Sequence, residues 1–299
     1  MKRMSLTRAV SVLLSALVLI CPLAARAETV VTSFFPVWLI TRNLTEGIDD
    51  LDVVNLTESV GSCLHDYSLQ PSDKVALSGA DALLINGAGM ESFLPVVLRD
   101  LPDLPVIDAS QGIALLETDE EGEYNSHIWL DPKNVIQMAS NLAEGLIGLF
   151  PAGGDRIRAN LELFRERIAA LQDTMRMILG ENPPGEVLVF HEALPYFAQA
   201  CDLPVLATVS KEPEDDLSAS QLARILDLVR GSGTVPLILK STEPDRASDV
   251  LAAETGAAVC ELDTLVSGPD DPAPDYYDTV MLQNLNTVLS AMQDLKGQD

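Results

Sequence analysis

A long amphipathic segment divides this sequence into two halves. Between positions 155 and 179, seven apolar residues recur at alternating gaps of four and three, and mainly arginine and glutamate occupy the opposite face. This period predicts one continuous α-helix, roughly 40 Å long at about 1.5 Å per residue. Gly180 and Pro183 follow the segment and end the helix. The helix can lie on the surface of one domain or join two lobes, and we expect it to join two lobes.

Strand-like and helix-like segments alternate on both sides of this helix. The apolar strand-like runs lie at 30–35, 51–56, 82–86, 106–108, 186–190, 205–209, 236–239 and 257–262. The helix-like stretches lie at about 37–46, 72–79, 91–99, 132–149, 192–201, 218–230, 244–255 and 275–294. Strands separated by helices favour parallel sheets. We therefore expect an α/β fold of two parallel-sheet lobes, at 28–150 and 183–299, joined by one backbone helix at 151–182.

The first 27 residues are typical of a secretory signal peptide. Lys2 and Arg3 lie near the amino terminus, positions 9–20 are mostly apolar, and Ala25-Arg26-Ala27 provides small residues for cleavage. The apolar stretch is shorter than the roughly 20 residues of a membrane-spanning helix. A permanent membrane anchor is the alternative. We expect a periplasmic protein whose mature chain begins at Glu28.

The chain is strongly acidic, with 45 Asp and Glu against 19 Lys and Arg and a formal net charge of −26. Loss of residues 1–27 would change this charge to −30, since they contain four basic and no acidic residues. Such a charge repels phosphate backbones, so we exclude nucleic acid as a partner. The charge is compatible with a cationic ligand.

The cysteines allow at most one intramolecular disulfide in the mature chain. Cys63, Cys201 and Cys260 would remain after cleavage, which is an odd number in an oxidising compartment. The sequence does not determine which two would pair.

All three histidines of the chain follow predicted strands. His65, His127 and His191 lie in the loops after the strands at 51–56, 106–108 and 186–190, and Asp263 directly follows the strand at 257–262. Open α/β sheets bind ligands at the carboxyl ends of their strands. A single histidine is more often a structural residue than a ligand, but the shared placement favours a metal site. Three imidazoles and one carboxylate form a complete tetrahedral zinc shell.

The residues around these histidines resemble a known family. The segments 65–73 (HDYSLQPSD), 127–134 (HIWLDPKN) and 190–198 (FHEALPYFA) are similar to those of the periplasmic zinc- and manganese-binding components of ABC metal importers. The resemblance implies two α/β lobes, one backbone helix and a metal site of His65, His127, His191 and Asp263. It also implies docking on a membrane permease, and we expect the protein to act as a monomer.

Two features of the sequence bear on the choice of metal. The zinc branch of this family often has a histidine-rich loop before the second ligand, whereas here 117–123 is a short acidic stretch without histidine. The manganese branch tends to have glutamate where this chain has His191, and Mn²⁺ prefers oxygen ligands. We therefore expect Zn²⁺ as the transported ligand, with Mn²⁺ or an iron chelate as alternatives.

We expect a binding protein rather than an enzyme. An exported zinc hydrolase is the rival, but catalytic zinc needs an open coordination position, and the expected shell is filled by protein ligands. Protonation of the histidines near their usual pKa of about 6.5 is expected to weaken metal binding in acid. The stiff helix is expected to limit lobe movement on metal loss.

Overall fold

The computed structural model describes residues 27–57, 67–118, 122–181, 185–209 and 217–296. Most of the predicted signal peptide, together with Cys63 and His65, lies outside these residues. The expected α/β fold with two parallel sheets is confirmed.

The first lobe contains a four-stranded parallel sheet. Its strands are β1 (Glu28–Thr32), β2 (Leu51–Asn55), β3 (Ala82–Ile85) and β4 (Val106–Asp108), in the order β2-β1-β3-β4. Its helices are α1 (Phe35–Thr45), α2 (Pro71–Ser78), α3 (Leu94–Asp100) and α4 (Pro132–Leu149). Every residue of β3 is buried, as expected for an inner parallel strand covered on both faces.

The second lobe repeats this topology. Its strands are β5 (Val187–Phe190), β6 (Val205–Thr208), β7 (Leu237–Ser241) and β8 (Ala258–Leu262), in the order β6-β5-β7-β8. Its helices are α6 (Leu194–Ala200), α7 (Ala219–Ser232), α8 (Arg246–Thr255) and α9 (Tyr276–Lys296), which follow the long helix α5 (Gly154–Glu181).

Helix α5 is hydrogen-bonded to both lobes. Its Asn160 donates to the carbonyl oxygens of Leu44 and Glu46 in the first lobe, at 2.9 Å each. The guanidinium of Arg167 donates to Asn43 Oδ1 of α1 at 3.0 Å and to Asp278 Oδ2 of α9 at 3.1 Å. The helix therefore joins the lobes, and it is 28 residues long. The helix begins at Gly154, three residues after the expected start at 151.

The main core runs from the first sheet through α4 and α5 to one face of the second sheet. A smaller apolar cluster covers the other face, between the second sheet, α7 and α8.

The observed elements differ from the expected ones mainly at their ends. Strand β7 continues to Ser241, although the apolar run ends at Leu239. The strand can continue because the amine of Lys240, buried in the fold, pairs with Glu261 Oε1 of β8 at 2.9 Å. The lobe boundaries at 150 and 182 stay predictions.

Two of the three remaining cysteines are described, and they are not paired. Cys201 and Cys260 are buried, free thiols. Burial raises the pKa of both, to about 12 for Cys260.

No helix in the described ranges is long and apolar enough to cross a membrane.

Candidate metal centre

The structure brings His127 and His191 together from different lobes. Their ring centroids are 6.1 Å apart, with the ring planes at 76° to each other. His127 is buried and His191 is half-buried. Two imidazoles on one tetrahedral zinc ion, with Zn–N bonds of about 2.1 Å, place their centroids roughly 5 Å apart. The observed centroid separation exceeds this value by about 1 Å.

His127 lies in the segment 125–131, which directly precedes α4. The side chain of Asn125 accepts from the His127 backbone N–H at 2.9 Å and lies 3.0 Å from His127 Nδ1. The indole ring of Trp129 packs against the imidazole, with centroids 5.2 Å apart. Asp131 ends the segment and caps α4 by accepting from Lys133 N–H at 2.8 Å.

The same segment is hydrogen-bonded to the second lobe. The hydroxyls of Tyr196 and Tyr277 donate to the carbonyl oxygens of Asn125 and Trp129, each at 2.9 Å. The indole N–H of Trp129 donates to Thr264 O at 2.8 Å. Burial raises the pKa of both tyrosines, so the hydroxyls keep the protons that they donate. His127 thus belongs to the first lobe in sequence, and residues of the second lobe also hydrogen-bond to its segment.

His191 directly follows β5. Its Nδ1 accepts a hydrogen bond from the Ala193 backbone N–H at 3.1 Å. In this conformation, the proton of the neutral ring is on Nε2. Binding of a metal ion at Nε2 requires the ring to give up this bond, so that the proton can move to Nδ1.

Asp263 directly follows β8, in a loop tied to α9. Asn284 accepts from its backbone N–H at 2.9 Å and donates to its carbonyl oxygen at 2.8 Å. One carboxylate oxygen, Oδ1, accepts from Leu265 N–H at 2.7 Å. The next residue, Thr264, accepts from Trp129, so the Asp263 loop adjoins the segment of His127.

The described residues alone do not form a complete metal site. Within the described ranges, no three His, Cys, Asp or Glu side chains are placed to hold a metal ion. His127 and His191 form a pair, His65 lies outside the described residues, and the four-ligand set stays a prediction.

A buried carboxyl group supports the neighbouring turn. Glu91 accepts from the backbone N–H groups of Asn86 at 2.7 Å and Gly87 at 3.1 Å. Burial raises its pKa to about 7, against the opposing effect of these hydrogen bonds. The amide of Asn86 donates to Ser126 O at 2.9 Å, beside His127. Gly87 has a φ of 78°, and a Cβ there would collide with the Asp108 carboxylate.

A cleft of about 960 Å³ opens beside the two histidine loops. Both lobes line it, with Glu123 and Asn125 from the first and Glu192 and Arg224 from the second. The described lining includes Ser126, which precedes His127, and Glu192, which follows His191, but neither of these histidines.

Sequence reasoning missed the residues that hold the histidine segments. Asn125, Tyr196 and Glu91 were not singled out, although Asn125 precedes His127 by only two positions. That spacing permits an Asx-type turn and was a usable local signal. The remaining contacts join residues far apart in sequence and leave no local pattern.

Comparisons with known proteins identify the family. The family model for the periplasmic component A of zinc-uptake complexes, ZnuA, matches residues 30–291. The iron-binding protein YfeA of Yersinia pestis is 26% identical over 265 residues, which cover 86% of this chain and 84% of that protein. The high-affinity zinc uptake system protein ZnuA of Yersinia pestis is 29% identical over 244 residues, which cover 72% of this chain and 76% of that protein.

A solved structure shows the same arrangement. The zinc-bound crystal structure of a ZnuA deletion mutant is 27% identical and superimposes with a TM-score of 0.73, covering 89% of this chain and 97% of that one. The two parallel four-stranded sheets of this chain agree with this likeness. The chain belongs to the ZnuA family of periplasmic zinc-uptake components.

Proposed function

We propose that this protein is a periplasmic receptor that binds Zn²⁺ between its lobes and delivers it to the membrane permease of an ABC importer. The observation that carries the proposal is the pair of imidazoles, His127 and His191, with ring centroids 6.1 Å apart between the two lobes of a ZnuA-family fold. Imidazole nitrogen is a preferred zinc ligand in proteins.

The proposed ligands are His65, His127, His191 and Asp263. Three neutral imidazoles and one carboxylate fill a tetrahedral shell and leave a net charge of about +1 on the site. Asp263 supports this set because its loop adjoins the His127 segment and because Oδ2 accepts no hydrogen bond from a described residue. A filled shell holds the ion for transport and has no position for a catalytic water. This favours a receptor over a hydrolase.

Zinc is the proposed cargo, and manganese and iron are the competitors. Relatives of this chain include an iron-binding protein and a manganese-binding lipoprotein. Two imidazoles are already paired in the described part of the site, and Mn²⁺ prefers oxygen ligands. The nitrogen-rich ligand set therefore supports zinc.

Export to the periplasm and action as a monomer belong to the same proposal. The amino-terminal pattern of basic residues, an apolar stretch and Ala25-Arg26-Ala27 supports export with cleavage before Glu28.

Competition titration of chelator-stripped protein tests the proposal. Zn²⁺, Mn²⁺ and Fe²⁺ are titrated against a chromophoric chelator, with the wild type and with His127→Ala, His191→Ala and Asp263→Ala. We expect the wild type to bind one Zn²⁺ most tightly, and we expect each variant to lose about 100-fold or more in zinc affinity.

Lys133→Ala is the matched control, because Lys133 is exposed and lies six residues from His127. It should bind zinc as the wild type does. Wild-type zinc affinity in His127→Ala or His191→Ala would contradict the proposed site. Tighter binding of Mn²⁺ or Fe²⁺ than Zn²⁺ would contradict the proposed cargo.

A further inference from the structure

One amide side chain connects the loops of both described histidines. Asn125 is buried, at 8% exposure. Its Oδ1 accepts from the His127 backbone N–H at 2.9 Å and lies 3.0 Å from His127 Nδ1. Its Nδ2 donates to the carbonyl oxygen of Glu192, the residue after His191, at 2.6 Å.

Backbone groups determine the orientation of this amide. A backbone N–H can only donate, so the amide atom facing His127 N is the oxygen. A backbone carbonyl can only accept, so the atom facing Glu192 O is the nitrogen. Both constraints give the same orientation, and a flipped amide would violate both.

This orientation determines the ring tautomer of His127. Because Oδ1 of Asn125 has no proton to donate, Nδ1 of His127 must carry the proton that the two atoms share. The neutral ring then has its lone pair on Nε2, the nitrogen that can bind a metal ion. His191 differs, because its Nδ1 accepts from Ala193 N–H and its proton is on Nε2.

The position of Asn125 is itself well defined. Its backbone N–H donates to Leu116 O at 2.8 Å, and its carbonyl oxygen accepts from the Tyr196 hydroxyl at 2.9 Å. The same hydroxyl accepts from Leu116 N–H at 3.0 Å. Hydrogen bonds of both its backbone and its side chain therefore fix the position of Asn125.

We propose that Asn125 is a positioning residue of the metal site. Its oxygen sets the His127 ring for binding through Nε2, and its nitrogen ties that ring to the loop of His191. The inference rests on the proposed function, since it assigns Asn125 a role toward the bound ion. Ligand histidines in metal sites commonly donate their second ring N–H to a fixed acceptor, and loss of that acceptor weakens metal binding.

The tautomer is tested by ¹⁵N NMR of the imidazoles in metal-free protein. The chain has only three histidines, so single His→Gln variants assign every ring. In the wild type at neutral pH, we expect His127 as the Nδ1–H form and His191 as the Nε2–H form. In Asn125→Ala, the His127 ring should become a mixture of forms. Asn125→Asp, which keeps the acceptor oxygen, should restore the Nδ1–H form.

Asn160→Ala is the matched control, since Asn160 is another buried asparagine whose amide donates to backbone carbonyl oxygens, and its described partners, Leu44 and Glu46, lie outside the histidine loops. It should leave the ring signals unchanged. A wild-type His127 with its proton on Nε2 overturns the proposal, whether or not the variants fold. An Nδ1–H form that persists unchanged in Asn125→Ala also overturns it.

Zinc affinity tests the consequence for binding. By competition titration, we expect Asn125→Ala to bind Zn²⁺ about 10- to 100-fold more weakly than the wild type, and Asn160→Ala to bind it normally. Equal affinities of Asn125→Ala and the wild type overturn the positioning role. Failure of the wild type to bind Zn²⁺ would instead contradict the proposed function, so the two failures are distinct.

Discussion

Replacement of Glu91 by glutamine should change how the stability of the fold depends on pH. Glu91 is buried at 6% exposure, and its carboxyl accepts the backbone N–H groups of Asn86 and Gly87. Burial raises its pKa in the folded state from 4.5 to about 7. In the unfolded chain the group is solvated and titrates near its ordinary value.

The sign and size of the effect follow from these two pKa values. Below pH 4.5 the carboxyl is protonated in both states, and its favourable contribution to stability is fully present. As the pH rises toward 7, the unfolded chain loses the proton first, so the free energy of unfolding decreases. Each pH unit in this interval contributes about 1.4 kcal/mol, giving about 3 kcal/mol in total.

The assay is urea unfolding at pH 5, 6, 7 and 8 in the presence of a chelator. Glu91→Gln loses one acceptor for the two N–H groups, which gives an offset of about 1–3 kcal/mol that does not depend on pH. The difference between wild type and variant should therefore change by up to about 3 kcal/mol between pH 5 and 8. Glu91→Ala should show the same slope with a different offset. Parallel pH profiles for the wild type and both variants would refute the reasoning.

Three further predictions concern the contacts between the lobes and the buried thiols. Tyr277→Phe removes the donor to Trp129 O and should lower the free energy of unfolding by about 1–3 kcal/mol in urea titrations; an unchanged midpoint would contradict this. Cys201 and Cys260 should resist a thiol reagent in the native state and react after unfolding, because both are buried. Peptide mass spectrometry locates the label, and rapid labelling of either cysteine in the native protein would contradict this prediction. X-ray scattering should give the same radius of gyration with and without zinc, since Arg167 of the connecting helix bonds to both lobes; a clear compaction on zinc binding would show the opposite.

The architecture was predictable because its elements have local patterns. Strands such as β3 and β5 are continuous apolar runs, and every residue in them is buried. Asp131 and Pro132 mark the start of α4, and the four-and-three spacing marks α5. Since every strand pairing in both sheets is parallel, residues that follow strands gather at one edge of each sheet. That is why His127 and His191 could be expected near each other.

The supporting residues were not predictable, because their roles depend on partners distant in sequence. Asn125 contacts Glu192 across 67 positions, and Tyr277 contacts Trp129 across 148. Lys240 lies buried at the end of an apolar strand, and its amine is paired with Glu261 of the neighbouring strand. The spacing of apolar residues along the sequence carries no information on such pairs.

Zinc K-edge X-ray absorption of the protein loaded with one Zn²⁺ tests the ligand set most directly. Three imidazoles and one carboxylate predict a first shell of nitrogen and oxygen alone, at about 2.0–2.1 Å, with the multiple-scattering pattern of three imidazole rings. A sulfur ligand at about 2.3 Å, as Cys63 would supply, or a shell with two or fewer imidazoles would contradict the account.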